Sequence, residues 1–146
     1  MPIKSFRAEI ADGAVHTISL HTNDGATGYR IKKIQLFPHK FGSEDQESTV
    51  TIFSIPQTTP TNEVDFSDNT LLAAACMSTD NSEANPLNSN VVFDNMTFNQ
   101  DIYVCHENSH SDALPVNYYI ELEQVKLDLN ENTVATLKDI RNVTSG

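Results

Sequence analysis

The feature that most constrains this chain is a two-residue alternation of apolar and polar side chains. Successive side chains of a β-strand point to opposite faces of its sheet, so strict alternation predicts a strand with one buried face and one face in water. The alternation is clearest over residues 116–123, where every second side chain is apolar: Val116, Tyr118, Ile120 and Leu122. We therefore expect this segment to belong to a sheet that covers a hydrophobic core.

Similar short apolar runs recur along the 146 residues, and turn-forming residues separate them. Regularly spaced short strands are typical of β-sandwiches and jelly rolls. The sequence contains neither an internal repeat nor a linker long enough to divide the chain. It predicts an all-β fold, namely a single jelly-roll-like β-sandwich domain spanning residues 1–146, with about eight antiparallel strands.

A change of parity within an apolar run predicts a β-bulge, because one extra residue moves every later side chain to the other face. In the run 29–37, Tyr29 and Ile31 share one parity, whereas Ile34 and Leu36 share the other. This switch predicts a bulge at Lys32 and Lys33. Similar switches predict an irregularity within 50–55 and a bulge or bend near Glu123 and Gln124.

Other segments carry turn, loop or core signals. Asp12-Gly13 is a strong hairpin signal between two predicted strands, and the polar segments 41–48 and 78–90 indicate loops. The segment 71–77 is apolar throughout, which predicts a strand covered on both faces. The segment 133–143 fits either a final strand or a short helix.

The net charge of −11, with only nine Lys and Arg residues, argues against direct binding to nucleic acid, which requires a basic surface. An anionic membrane would repel the same surface, and no apolar run is long enough to span one. The N-terminal residues lack the apolar stretch of a signal peptide, so we expect synthesis in a cytoplasm. There, Cys76 and Cys105 are expected to be buried free thiols rather than a disulfide.

Three oxygen-rich segments contain the ligand types that a hard cation such as calcium prefers. The segment 128–132 resembles the start of a calcium loop, with Asp139 at the twelfth position, but Thr133 stands where such a loop needs Gly. The other two segments have no diagnostic spacing and comprise Asp65, Asp68 and Asn69 in one case and Asp80, Asn81 and Glu83 in the other. Turn chemistry accounts for all three more simply, so we predict no metal site and no cofactor.

No catalytic constellation is evident in the sequence. His106 and His110 lie four residues apart in a predicted loop, with no Cys or carboxylate at zinc-site spacing. Cys105 and His106 are adjacent, so in a strand they would point to opposite faces and could not act as nucleophile and base. Glu121 and Glu123 share the wet face of their strand, which is typical of a solvated surface or an interface. We therefore predict no catalytic residue and expect that the protein is not an enzyme.

Aromatic side chains are the remaining candidates for binding. Tyr118 and Tyr119 should point to opposite faces, so one of them should leave the core. Four phenylalanines stand in predicted loops or near strand ends: Phe37, Phe41, Phe66 and Phe98. Exposed aromatics of this kind stack on sugars or anchor a protein partner, although core packing is the expected role of most of them.

Four segments between residues 92 and 142 resemble segments of a known class of proteins. They are VFDN at 92–95, FNQDIYV at 98–104, YYIELEQVKL at 118–127 and TVATLKDIRN at 133–142. Together with their surroundings, about half of the chain, they resemble small virion proteins of marine tailed bacteriophages, such as those that infect cyanobacteria. The resemblance implies a β-sandwich subunit of a capsid, neck, tail or fibre that acts through repeated contacts in a symmetric particle.

The leading hypothesis is therefore a phage virion structural protein that decorates the capsid or belongs to the tail. Its expected partners are other virion proteins and further copies of itself, and its expected location is the virion. Residues 1–5 and 133–146 are expected to form arms that reach neighbours. The alternative is a carbohydrate-binding, lectin-like module for a host-surface glycan, and a small hydrolase is a third hypothesis.

Overall fold

The computed structural model describes residues 2–21, 26–40, 46–79, 87–93, 97–109 and 113–127. As the alternation predicts, these residues form eight antiparallel strands. The strands are β1 (Ile3–Ile10), β2 (Val15–Ile18), β3 (Thr27–Pro38), β4 (Gln46–Phe53), β5 (Leu71–Thr79), β6 (Leu87–Val92), β7 (Ile102–Asn108) and β8 (Val116–Lys126). Across the described ranges there is no helix with the length and apolar character needed to cross a membrane.

The strands form two sheets that pack face to face as a β-sandwich. The three-stranded sheet has the order β1-β8-β3, and the five-stranded sheet has the order β2-β7-β4-β5-β6. In an eight-stranded jelly roll the corresponding orders are 1-8-3-6 and 2-7-4-5. This protein differs at β6, which pairs with β5 but also lies beside β3, where Asn88 Nδ2 donates to the Leu36 carbonyl at 3.4 Å. The predicted jelly-roll-like sandwich is confirmed.

The core lies between the two sheets, with β8 in the middle of the smaller one. Ile120 of β8 stands between Phe6 of β1 and Ile34 of β3 in the strand register. The larger sheet contributes Ile52 and Val104, which lie opposite each other on β4 and β7. Burying one such aliphatic side chain contributes about 1.5–3 kcal/mol relative to leaving it in water, so these central strands supply much of the stability.

The bulge predicted at Lys32 and Lys33 is confirmed, since the register of β3 against β8 shifts between Ile31 and Lys33. The extra residue lets both halves of the long strand bury their apolar side chains. Ile31 lies opposite Leu122, and after the shift Ile34 and Leu36 again face the core.

A second predicted irregularity is also found, because the register of β4 against β5 shifts between Ile52 and Phe53. Of the bulge or bend predicted near residues 123 and 124, the bulge is wrong, since β8 keeps one register against β3 from Leu122 to Lys126. Three apolar residues gave this signal: Val125, Leu127 and Leu129. Leu127 is buried against Gly28, and Leu129 lies outside the described residues. A Cβ at Gly28 would lie 3.1 Å from the Leu127 side chain, so the glycine makes room for it without a bulge.

The hairpin predicted at Asp12-Gly13 is wrong, because this turn carries the chain from one sheet to the other. The Ala14 N–H donates to the Ala11 carbonyl at 3.1 Å, and Gly13 has a φ of 76°. A type I′ hairpin turn needs positive φ at both central residues, and Asp12 does not have it. Asp12 instead accepts a hydrogen bond from the Asn108 N–H of β7 at 2.7 Å.

Three predicted loops or arms contain strand residues. β4 begins at Gln46, within the predicted loop 41–48, and β6 begins at Leu87, within the predicted loop 78–90. The predicted N-terminal arm is wrong for residues 3–5, because Ile3 already pairs with Glu123. The predicted C-terminal arm and the strand or helix over 133–143 lie outside the described residues.

Candidate functional site

The outer surface of the three-stranded sheet is the first candidate site, and we call it the aromatic face. The alternation that sends apolar side chains of β1, β3 and β8 inward sends the intervening side chains outward. They line a shallow groove of about 510 Å³. Its outward-pointing residues are Arg7, Glu9, Gln35, Phe37, Asn117 and Tyr119. The face therefore combines two aromatic rings with charged and amide groups.

Tyr119 lies at the centre of the aromatic face, between Arg7 of β1 and Gln35 of β3 in the register. Its hydroxyl donates to Glu121 Oε2 at 2.7 Å, and Lys33 Nζ lies 5.8 Å from its ring centroid. The hydrogen bond to the Glu121 carboxylate raises the pKa of Tyr119, so the hydroxyl keeps its proton at neutral pH. The expectation that one tyrosine of the pair leaves the core is confirmed, since the preceding tyrosine is buried.

Phe37 is the most exposed large apolar side chain in the described part of the protein, with 63% of its surface accessible. It pairs with Asn117 at the end of the aromatic face where Glu9 also lies. Glu9 Oε2 is 2.7 Å from His39 Nδ1, which makes an exposed ion pair whenever the histidine is protonated. Because Phe37 packs on no core, its ring is accessible to a binding partner.

The second candidate site is on the opposite side of the sandwich, on the outer surface of the five-stranded sheet, and we call it the apolar groove. Its volume is about 420 Å³. Val64 and Phe66 from the β4–β5 connection line it together with Ala74, Cys76 and Val91. Val64, Phe66 and Val91 are 40%, 57% and 37% exposed. Of the five large apolar side chains exposed in the described residues, three thus meet in this groove.

Small side chains on β5 create the depth of the apolar groove. β5 is buried on both faces from Leu71 to Ala75, as predicted, but Cys76 is exposed, so the expectation that both cysteines are buried is wrong. Cys76 follows the alternation onto the outer face, where nothing large covers it. Phe66 forms one wall and packs edge-on against Phe93, with ring centroids 5.2 Å apart at 90°, an arrangement that aromatic pairs favour.

Two carboxylates shape the β4–β5 connection that carries Val64 and Phe66. Asp65 accepts hydrogen bonds from the Ser67 N–H at 2.9 Å and the Ser67 hydroxyl at 2.6 Å. Asp68 accepts from the N–H and hydroxyl of Thr70 at 2.8 and 2.6 Å. The bonds from Ser67 lower the pKa of Asp65, so the groove has an ionised carboxylate at its rim. These contacts confirm the interpretation of this segment as turn chemistry.

The metal sites that the sequence raised have no counterpart in the described structure. No group of three or more His, Cys, Asp or Glu side chains in the described residues could hold a metal ion. The segments around Asp80 and Asp128, together with Asp139, lie outside those residues, and so does His110.

A buried polar cluster joins the end of β1 to the larger sheet. His106 lies on β7 and not in the predicted loop, and its Nδ1 is 3.1 Å from the carbonyls of Ile10 and Ala11. A carbonyl only accepts, so Nδ1 carries the proton and Nε2 accepts from the Ser48 hydroxyl at 2.9 Å. Gln46 Nε2 in turn donates to Ser48 Oγ at 2.8 Å. The cluster explains how polar residues at the start of β4 can face the core.

The Ser48–His106 contact has the atoms of a nucleophile and a base, but the two residues are 1% and 0% exposed. Their burial closes the pair to substrate, and burial also lowers the pKa of His106. Cys105 contacts Thr51 instead, and burial raises the pKa of its thiol to about 11. The prediction that Cys105 and His106 do not work together is therefore consistent with their separate contacts.

The four predicted phenylalanine candidates have different positions. Phe37 and Phe66 are exposed, one in each candidate site, whereas Phe98 is buried beside Tyr29 with ring centroids 6.3 Å apart. Phe41 lies outside the described residues. No family model matches the sequence, and no curated protein matches it.

Proposed function

We propose that the protein is a structural subunit of a phage virion, attached to the capsid or the tail through protein–protein contacts. The observation that supports this proposal best is the apolar groove, where Val64, Phe66 and Val91 expose apolar surface together. Apolar side chains gathered at one exposed place mark interaction sites, because covering them releases the surrounding water.

The groove has a rigid support, which suits a structural contact. Its floor belongs to β5, which is paired on one side with β4 and on the other with β6. A preformed surface loses little conformational entropy on binding, and repetition in a symmetric particle multiplies a modest contact. The jelly roll also builds viral capsid proteins, which is an argument by analogy. The resemblance of segments 92–95, 98–104, 118–127 and 133–142 to virion proteins points the same way.

Mass spectrometry of particles purified from infected cells tests this proposal. We expect the protein to copurify with the particles at a fixed copy number per capsid or tail. Presence in the infected-cell lysate together with absence from the particles would overturn it.

Complementation of a phage that lacks the gene tests the groove itself. A Val91→Arg variant should be lost from the particles, because it places a charge in the apolar groove. Ile3→Ser is the control, since it removes an apolar side chain from the other sheet that is 52% exposed, compared with 37% for Val91. The control variant should remain with the particles, and loss of both variants would contradict the assignment to the groove.

The second candidate function is carbohydrate binding through the aromatic face, and the position of Tyr119 favours it. A sugar ring presents C–H groups that stack on an aromatic ring and hydroxyls that bond to carboxylate, amide and guanidinium groups. Tyr119 has Arg7 opposite it, and Glu9 and Asn117 line the same groove.

A glycan array tests this second candidate. We expect binding by the wild-type protein, loss of binding in Tyr119→Ala, and unchanged binding in Phe66→Ala, which alters only the apolar groove. Absence of wild-type binding to every glycan, or equal binding by the Tyr119→Ala variant, would rule the aromatic face out as a sugar site.

A further inference from the structure

Charged side chains are divided unequally between the two sheets. Seven Lys and Arg residues are described, and each lies on the three-stranded sheet or within two residues of the end of β3: Lys4, Arg7, Arg30, Lys32, Lys33, Lys40 and Lys126. Three carboxylates share that sheet, namely Glu9, Glu121 and Glu123. The three-stranded sheet, with the residues just after β3, therefore has an excess of positive charge in a chain whose net charge is −11.

The other side of the sandwich is negative. Among the described residues, the five-stranded sheet and its own connections contain no Lys or Arg. They contain six carboxylates: Glu47, Glu63, Asp65, Asp68, Asp101 and Glu107. The two sheets of one chain, each with its adjoining residues, thus carry charge of opposite sign.

Each sheet also has an apolar feature on its outer surface, an exposed ring on one sheet and the apolar groove on the other. Phe37 projects from the positive side with 63% of its surface exposed. The apolar groove lies on the negative side, with Asp65 among its lining residues. At about 420 Å³ the groove is within the roughly 300–1,000 Å³ of clefts that hold drug-sized ligands, so it has room for a phenyl side chain.

We propose that the apolar groove binds a second copy of this chain, with Phe37 of the incoming copy in the groove and its positive sheet against Glu63 and Asp65. This inference rests on the proposed function and names the partner of the groove. The contact joins two different surfaces, so it is heterologous, and each added copy leaves one surface of each kind open. Such contacts build rings or open stacks, which are the arrangements that necks, tails and fibres need.

Charge selects this head-to-tail contact over a symmetric pairing. Two grooves brought together would place Glu63 and Asp65 of one copy against the same carboxylates of the other, and two positive faces would also repel. Like charges across an interface disfavour association. The head-to-tail arrangement instead places the positive sheet of one copy on the negative side of the next.

Sedimentation velocity of the purified protein near physiological ionic strength tests the proposal. We expect association that grows with protein concentration. Phe37→Ser and Val91→Arg should each raise the dissociation constant about tenfold or more. The first truncates an anchoring aromatic side chain, and the second places a positive charge in the groove, against the positive sheet of the incoming copy. Ile3→Ser should leave association unchanged, since Ile3 is 52% exposed on the same sheet but at the end away from Phe37. Circular dichroism checks that each variant is folded.

Mixing the two defective variants separates the head-to-tail contact from any symmetric one. Phe37→Ser retains an intact groove and Val91→Arg retains an intact Phe37, so an equal mixture should form a dimer that grows no further. A mixture that stays monomeric, a wild-type protein that does not associate, or a wild-type dimer that stops at two would overturn the inference. A protein that is present in virions but fails this assay would retain the proposed function and lose only its head-to-tail partner.

Discussion

His106 illustrates how a polar side chain is accommodated in the core of this sandwich. Its neutral ring satisfies both nitrogens, one with the carbonyls of Ile10 and Ala11 and the other with Ser48. The polar residues that follow it in the sequence made this part of β7 look like a loop. The hydrogen bonds that allow its burial come from residues 95 and 96 positions away along the chain, so no local pattern could reveal them.

We expect the free energy of unfolding to fall as the pH drops below 6.5. Burial lowers the pKa of His106 below its ordinary value of 6.5, although its backbone hydrogen bonds and the charges of Asp12 and Glu107 act in the opposite direction. The unfolded chain therefore binds the proton more readily than the folded chain. The stability that neutral His106 contributes is complete above pH 6.5 and is lost as the pH falls through the folded-state pKa. Urea unfolding at several pH values measures this loss.

His106→Gln is the control for this prediction, because glutamine does not titrate. The variant should be less stable than the wild type at neutral pH, since it disturbs the bonds to Ser48 and to the β1 carbonyls. The difference in stability between the two proteins should narrow on acidification. A difference that stays constant from about pH 8 to about pH 5 would show that His106 is not the titrating group.

The two cysteines should differ sharply in reactivity. Cys76 is exposed in the apolar groove, whereas Cys105 is buried with a thiol pKa raised to about 11. The thiolate is the reactive form and must also be reached by the reagent. A maleimide should therefore modify Cys76 in the native protein and Cys105 only after unfolding, which peptide mass spectrometry can follow. Similar native labelling rates at both positions would contradict the described burial.

At the scale of the strands, the sequence is informative wherever inward positions are apolar. The parity of the apolar residues in β3 was enough to locate the bulge at Lys32, and β8 has the alternation predicted for it. The start of β4 could not be predicted, because Gln46 and Ser48 occupy buried positions with polar side chains. The Asp12-Gly13 turn was misassigned for another reason. A turn signal shows that the chain reverses direction, but only the strand pairing shows whether the two flanking strands bond to each other or to other strands.

Ile120 tests the central position of β8. It is fully buried between β1 and β3, so Ile120→Ala removes apolar surface and leaves a cavity. We expect a loss of about 2–5 kcal/mol in the free energy of unfolding. Gln35→Ala on the outer side of β3 is the control and should change stability by less than about 0.5 kcal/mol. Equal effects in urea unfolding would contradict the inward and outward assignment of these strands.

At the scale of the whole molecule, the candidate sites could be predicted only in part. Tyr119, Phe37 and Phe66 were recognisable as aromatics that could leave the core. Val64 and Val91 were not, because their exposure depends on the β4–β5 connection meeting the outer surface of β5 and β6. The net charge of −11 is a property of composition, whereas the separation of charge depends on β1, β3 and β8 sharing one sheet.

The separation of charge predicts an unusual dependence of self-association on salt. The Debye length is about 30 Å at 0.01 M, 8 Å at 0.15 M and 3 Å at 1 M ionic strength. At the lowest of these, whole molecules of net charge −11 repel each other. Added salt first removes this long-range repulsion, and only higher concentrations screen the short contacts between the positive sheet and Asp65. The dissociation constant from sedimentation should therefore fall and then rise as salt is added, and Asp65→Arg should weaken association most near the optimum. A steady strengthening up to 1 M salt would mean that apolar burial alone holds the copies together.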